Sequence, residues 1–222
     1  MDSVDSSEEF RRRHSPVPNL SGRAFQAVFE RIVSRRLQPG ECIVESKLAP
    51  ELGISRTPLR EALQRLEGEG MVIKNANRSY TVRQVTLPEC IYSLRVRELL
   101  EGEAAALAAP EIPAERVDAV RNELERNWSE EASQDAIWRL DDMVHSLTTA
   151  YCGNPVMAQL IRQVRTTTRL YATRGRADRG DATHVEHLRI LDALVARDPK
   201  AARKAMVNHI RSNARRLLGA LV

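Results

Sequence analysis

The sequence predicts a mainly α-helical protein of two domains, a small N-terminal one with a β-hairpin and a larger all-α one. Three observations carry this. Aromatic residues make up only 4% of the 222 residues, while Leu, Ala, Arg and Glu are plentiful, a composition suited to packed helices. Apolar residues recur at helical spacing along most of the chain, cut by Pro and Gly into short lengths. One stretch alone, "MVIKNANRSYTVRQV" from Met71 to Val85, reads as two short strands about a polar turn.

Residues 1–18 are polar, charged and proline-punctuated, and are expected to form a disordered tail. The first domain is expected over 19–85. Its first helix begins near Ser21, read as the N-cap, and Phe25, Val28, Phe29, Ile32 and Val33 trace one face. "LQPGE" stops it. A second helix is expected from about Glu45 to Leu52, with Pro50 near its first turn, and Gly53 ends it. Ser55 then caps a third helix to about Glu67, and the hairpin follows. Three helices and a hairpin in this order match a winged helix-turn-helix.

The second domain, 86–222, opens with Thr86 as cap and Pro88 in the first turn. Six helices are expected, at about 88–109, 113–130, 134–152, 155–174, 181–197 and 199–219. "APEIP", "YCGNP", "TRGRADRG" and "ARDP" mark the breaks. The linker between the domains, around Val85 to Pro88, is only a few residues long.

The formal net charge is +4 with a pI of about 9.2, and most of the excess lies between Asn19 and Arg83. An anionic partner is permitted but not demanded. Cys42, Cys90 and Cys152 are odd in number and lack any CxxC spacing, so neither a disulfide framework nor a thiolate zinc site is implied. No segment is apolar over the roughly 18 residues of a membrane span, and the N-terminal stretch has no apolar core of a leader. A soluble, cytoplasmic protein with no membrane partner is expected.

The stretch "ELGISRTPLREAL" concentrates the functional signal. With Ser55 at the N-cap, Arg56 and Thr57 fall in the first helical turn, where backbone N–H groups and the helix dipole favour a phosphate. Arg60 shares a face with Arg56, while Leu59, Leu63 and Leu66 occupy another. One face is thus fitted to a core and the other presents two guanidiniums, the groups that read guanine edges bidentately. On composition alone both arginines read first as surface solubilisers; the flanking helix, the Gly53 turn and the hairpin reverse that in favour of recognition.

"RRLQPGECIVESKLAPELGISRTPLREALQRLEGEGMV" resembles the DNA-binding domain of the GntR family of bacterial transcription regulators. The PGE turn, the SRTP-L-REAL core and the L-x-x-EG-M-V exit stand in the family's order. The resemblance implies double-stranded operator DNA as partner, with Ser55, Arg56, Thr57 and Arg60 on the recognition helix. Many members carry Arg where this chain has Ser46, and glycine at the wing tip where it has Ser79. Lys47 and Arg78 are the neighbouring cations that could reach the DNA instead.

In the second domain, Asp141 and His145 lie four residues apart on one helix, and His187 and His209 lie on two later ones. By spacing alone, these are either ligands converging inside a bundle or four polar residues satisfied separately. "ECIYSLRVRELLEGEAAALAA", "LDDMVHSLTTAYCGNP" and "EHLRILDALVARDPKAARKAMVNHI" resemble, in order, the FCD ligand-sensing domain of the FadR-type GntR subfamily. That resemblance implies Asp141, His145, His187 and His209 as ligands of a divalent transition metal, zinc foremost, with nickel or manganese as alternatives. It implies Arg97 beside a pocket for a small organic acid, and a homodimer. His184 lies outside the family pattern.

The sequence therefore points to a homodimeric transcription regulator, read as a repressor, whose DNA affinity answers to a small carboxylate at a metal site. Two other readings stay open. One is a regulator without metal whose α-domain dimerises or binds a non-carboxylate effector. The other is a metal-dependent hydrolase, disfavoured because no general base accompanies the ligands and a helix-turn-helix is an odd companion for one.

Overall fold

The structure, a computed structural model, describes residues 20–129, 134–172 and 181–219. The expected tail at 1–18 and the break at 173–180 lie outside them. Two compact units divide between Gln84 and Val85. Among the described residues no helix is long and apolar enough to cross a membrane.

The first unit contains α1 (Leu20–Val33), β1 (Cys42–Ile43), α2 (Glu45–Glu51), α3 (Arg56–Gly68), β2 (Val72–Lys74) and β3 (Tyr80–Val82). α1 buries Phe25, Val28, Ile32 and Val33 against α3, which contributes Leu59, Ala62, Leu63 and Leu66. The Arg65 guanidinium lies 4.0 Å from the Phe25 ring centroid and closes the edge of this core. Ser21 stands inside the first turn of α1 rather than capping it, since the helix already includes Leu20.

Pro50 stands in the last turn of α2, not near its first. A seven-residue helix that stops one residue later gives up little for the missing N–H. The stop is built on Gly53 at φ +64°, with Gly53 N–H donating to Pro50 O and Ile54 N–H to Ala49 O. The strand β1 was not expected. It pairs antiparallel with β3, Ile43 opposite Tyr80, so the sheet runs β1-β3-β2 and the hairpin carries a third, two-residue strand.

The second unit contains α4 (Leu87–Ala108), α5 (Ala114–Asn127), α6 (Gln134–Tyr151), α7 (Pro155–Ala172), α8 (Asp181–Val195) and α9 (Pro199–Gly219). Thr86 caps α4 by accepting from Glu89 N–H, with Pro88 in the first turn. Asp198 caps α9, accepting from Lys200 and Ala201 N–H.

α4 packs against α6, α7 and α9. Its second half is built of small residues, Gly102, Ala104, Ala105, Ala106 and Ala108, all buried. At Gly102 a Cβ would sit 2.7 Å from Val207 Cγ2 of α9, so the approach of these two helices depends on the missing side chain. Leu124, Ile161, Ile190, Leu191, Leu194, Met206 and Ile210 fill the remaining core.

Candidate functional site

Three helices bring Asp141 and His145 (α6), His187 (α8) and His209 (α9) together, with one donor atom from each lying within 4.8 Å of all the others. The three histidines are almost wholly buried. Asp141 Oδ1 stands 3.5 Å from His145 Nε2, 3.3 Å from His187 Nε2 and 3.6 Å from His209 Nε2. The Nε2 atoms of His145 and His209 are 3.2 Å apart.

The outer sides of two rings fix which nitrogen carries the proton. His145 Nδ1–H donates to Glu101 Oε2, and Arg97 Nε–H holds the other oxygen of that carboxylate at 2.5 Å. His209 Nδ1–H donates to Glu186 Oε2 at 3.0 Å, and Arg216 grips Glu186 through both of its terminal nitrogens. With Nδ1 of both rings turned to these carboxylates, both Nε2 atoms face inward, toward Asp141. The buried Nε2 of His187 makes no hydrogen bond, although Asp141 Oδ1 is near. Asn213 offers one amide N–H, 3.0 Å from His209 Nε2.

Three inward imidazole nitrogens about one carboxylate form a buried site for a cation, whether protons on the rings or a metal ion among them. The separations of 3.2 to 3.6 Å lie close to those of a metal site. A divalent ion about 2.1 Å from each ligand sets neighbouring donors about 3.0 Å apart in octahedral and about 3.4 Å apart in tetrahedral geometry. Glu101 and Glu186 stand behind His145 and His209 as carboxylates stand behind imidazoles in metal sites, where they orient the rings and raise their basicity.

The electrostatics agree. Burial opposes ionisation of Asp141, yet the charge and hydrogen bonds of the surrounding histidines hold it well below the usual carboxylate range. For Glu101, burial is outweighed by Arg97 and His145, and its pKa is likewise depressed. Burial pushes His187 down to about 4 against the pull of Asp141. Burial works in the same direction on His209, but hydrogen bonds to Asp141 and Glu186 hold its pKa above the ordinary imidazole value. Glu101 and Glu186 escaped the sequence reading, as did Arg165, whose guanidinium donates to Asp141 at 3.1 Å. Their only signals were local: Glu101 lies four residues after Arg97, and Glu186 adjoins His187.

Arg97 itself is 7% exposed and donates to Glu101 and to Thr168 Oγ1, so it borders the cluster through Glu101. His184 stacks on Trp128, with ring centroids 4.6 Å apart.

In the first unit, Ser55, Arg56, Thr57 and Arg60 are all exposed at the N-terminal half of α3, and Lys47 is exposed on α2. Ser55 occupies the N-cap without a side-chain capping hydrogen bond, so its hydroxyl is not committed to the first-turn amides. Arg60 is not free: its Nε–H donates to Glu45 Oε2 at 2.7 Å, a contact between α2 and α3 that sequence reading missed. Arg78 is exposed at the hairpin tip with φ +65°. The left-handed position therefore falls on Arg78, not on Ser79.

Comparison with known proteins is consistent across the chain. The family model for the FCD domain matches residues 92–212, and that for bacterial regulatory proteins of the gntR family matches residues 20–82. The chain is 29% identical to the Nta operon transcriptional regulator of Aminobacter aminovorans, over 84% of this chain and 89% of that protein. It is 23% identical to the HTH-type transcriptional repressor RspR of Escherichia coli K12, over 88% of each. The solved structure of E. coli McbR/YncC shares the fold with a TM-score of 0.74, 22% identity, and coverage of 91% of this chain and 99% of that one. The matched domains and relatives are regulators, not enzymes. With one family model spanning the helix-turn-helix and the other the helical unit, the chain belongs to the GntR family of bacterial transcription regulators, in the group that carries an FCD domain.

Proposed function

We propose that this DNA-binding regulator is a repressor whose operator affinity is set by a small carboxylate metabolite at a metal centre formed by Asp141, His145, His187 and His209. One observation carries the sensor half: the inward Nε2 atoms of His145 and His209 lie 3.2 Å apart, and with His187 Nε2 they surround one oxygen of Asp141 at 3.3 to 3.6 Å. Three neutral imidazoles and one carboxylate suit zinc, with nickel or manganese as alternatives. When bound, the ion would supply a Lewis-acidic docking point for a carboxylate.

The chain's own residues do the rest. Glu101 and Glu186 hold the rings of His145 and His209 in the ligating tautomer. Arg97 supplies a guanidinium near the centre for the acid. Occupancy ties α6, α8 and α9 together through the donors and α4 through Arg97. If that arrangement suits only one DNA-binding state, affinity shifts by population.

At the operator, Arg56 and Arg60 would meet base edges, Ser55, Thr57 and Lys47 the phosphates, and Arg78 the minor groove. A second copy of the chain would cover the exposed apolar face of α4 formed by Tyr92, Val96 and Leu99, giving a two-fold dimer matched to a pseudo-palindrome. A reducing, cytoplasmic setting fits the three free cysteines.

Elemental analysis of the purified protein, beside an Asp141→Ala/His187→Ala double variant, tests the centre. About one divalent ion per chain, lost in the variant, is the expected result. A parent with no metal after reconstitution with zinc, nickel and manganese would remove the sensor half. Arg60→Ala should weaken operator binding by about 1–3 kcal/mol at fixed salt if the side chain reads a base. Unchanged anisotropy titrations would take Arg60 out of the recognition set.

A further inference from the structure

Between α4, α6 and α7, the side chains around the candidate centre form one connected ionic network. Arg97 pairs with Glu101. Arg165 donates to Asp141 at 3.1 Å and to Asp142 at 2.5 Å, and its Nη1 lies 3.6 Å from Glu101 Oε2. Arg169 donates to Asp142, and on the far side Arg216 pairs with Glu186. Four carboxylates are thus matched by four guanidiniums.

Among the buried guanidinium nitrogens of this network without a hydrogen bond, two belong to the arginines that flank Glu101. Arg97 Nη2 and Arg165 Nη1 are both buried and unbonded, on facing helices and on guanidiniums that flank the same Glu101 carboxylate. A buried guanidinium N–H without an acceptor is costly, and a charge-assisted bond to an anion relieves it. The charge count points the same way. The network is already neutral, so a divalent ion among the donors leaves two positive charges uncompensated in a largely buried site.

We propose that the acid recognised here is a short dianion, a dicarboxylate or a compound of equal charge, whose second anionic group is held by Arg97 and Arg165 together. Arg165 is the residue that sets this preference. It also touches Asp141, so the anchor borders the donor cluster and the acid must be short. This rests on the metal-centred reading above and adds to it the ligand's charge.

The test is calorimetric titration of the zinc-reconstituted protein with malonate, succinate and glutarate against propionate, butyrate and valerate. The parent is expected to bind the best dicarboxylate at least about tenfold more tightly than the monocarboxylate of equal chain length. Arg165→Gln should bring that ratio close to one, both affinities being taken on protein whose bound zinc is counted by elemental analysis. Arg165→Lys, which keeps the charge beside Asp141, guards against loss of folding and should retain part of the preference. Equal affinity for the two series in the parent overturns the proposal, as does binding of neither series to the metal-loaded protein. A preference unchanged in Arg165→Gln overturns the assignment to Arg165. In each of those cases the metal centre stands; a parent that holds no metal removes the centre itself.

Discussion

Arg78 and His209 show how much a single residue's setting constrains. Arg78 holds φ +65° at the wing tip, a conformation that disfavours a side chain with a Cβ. Arg78→Gly should therefore fold as well or better, by up to about 1 kcal/mol in chemical denaturation. The same change should lower the salt slope of operator binding by about one unit if Arg78 enters the minor groove between the two phosphate rows. Unchanged slope would leave the wing without a backbone contact at that position.

His209 carries a raised pKa in the metal-free protein, whereas a metal binds only the neutral ring. The sign follows directly. Below that raised pKa, a proton must leave for each ion that binds, and affinity should fall about tenfold per pH unit. Calorimetry in two buffers of different ionisation heat counts the protons. No release, with flat affinity between pH 8 and 6, would mean that His209 is not a ligand.

At the scale of elements, the helices were the legible part of the sequence because each is bounded by its own chemistry. Thr86 with Pro88, Gly53, and Asp198 before Pro199 stop or start helices through contacts within a few residues. The strand β1 was not legible, since a two-residue strand has no periodicity and its partner, β3, lies far along the chain. The partners of the donor cluster were hidden for the same reason: Arg165 reaches Asp141 and Asp142 across two helices, and no spacing rule announces such a contact. Pro50 was misplaced although the bounds of α2 were read to within a residue: as the sixth of seven residues it stands in the last turn, not the first.

Gly102 supplies the test at this scale. Gly102→Ala gains up to about 1 kcal/mol of helix propensity, but its methyl meets Val207 Cγ2 at 2.7 Å, and a β-branched side chain on a helix cannot turn aside. A net loss of about 1–2 kcal/mol is expected. The double variant Gly102→Ala/Val207→Ala should recover most of it, and independent, additive losses would refute steric contact as the cause.

On the scale of the whole molecule, the donor cluster spans about a third of the sequence, from Asp141 to His209, and with its supports, which reach back to Arg97, about half. Such a centre closes long chain loops with a handful of bonds. Anything that binds only the folded form raises its stability by mass action. The centre would then act as a fastener of the helical unit as much as a receptor. In a cell starved of the ion, the regulator itself would become scarce, because marginal stability is read by proteases as turnover. Its half-life after chelation, followed by immunoblot in parent and Asp141→Ala strains, should shorten in the parent alone. Metal supply would set how many copies of the regulator survive to compete for an operator, before any metabolite arrives.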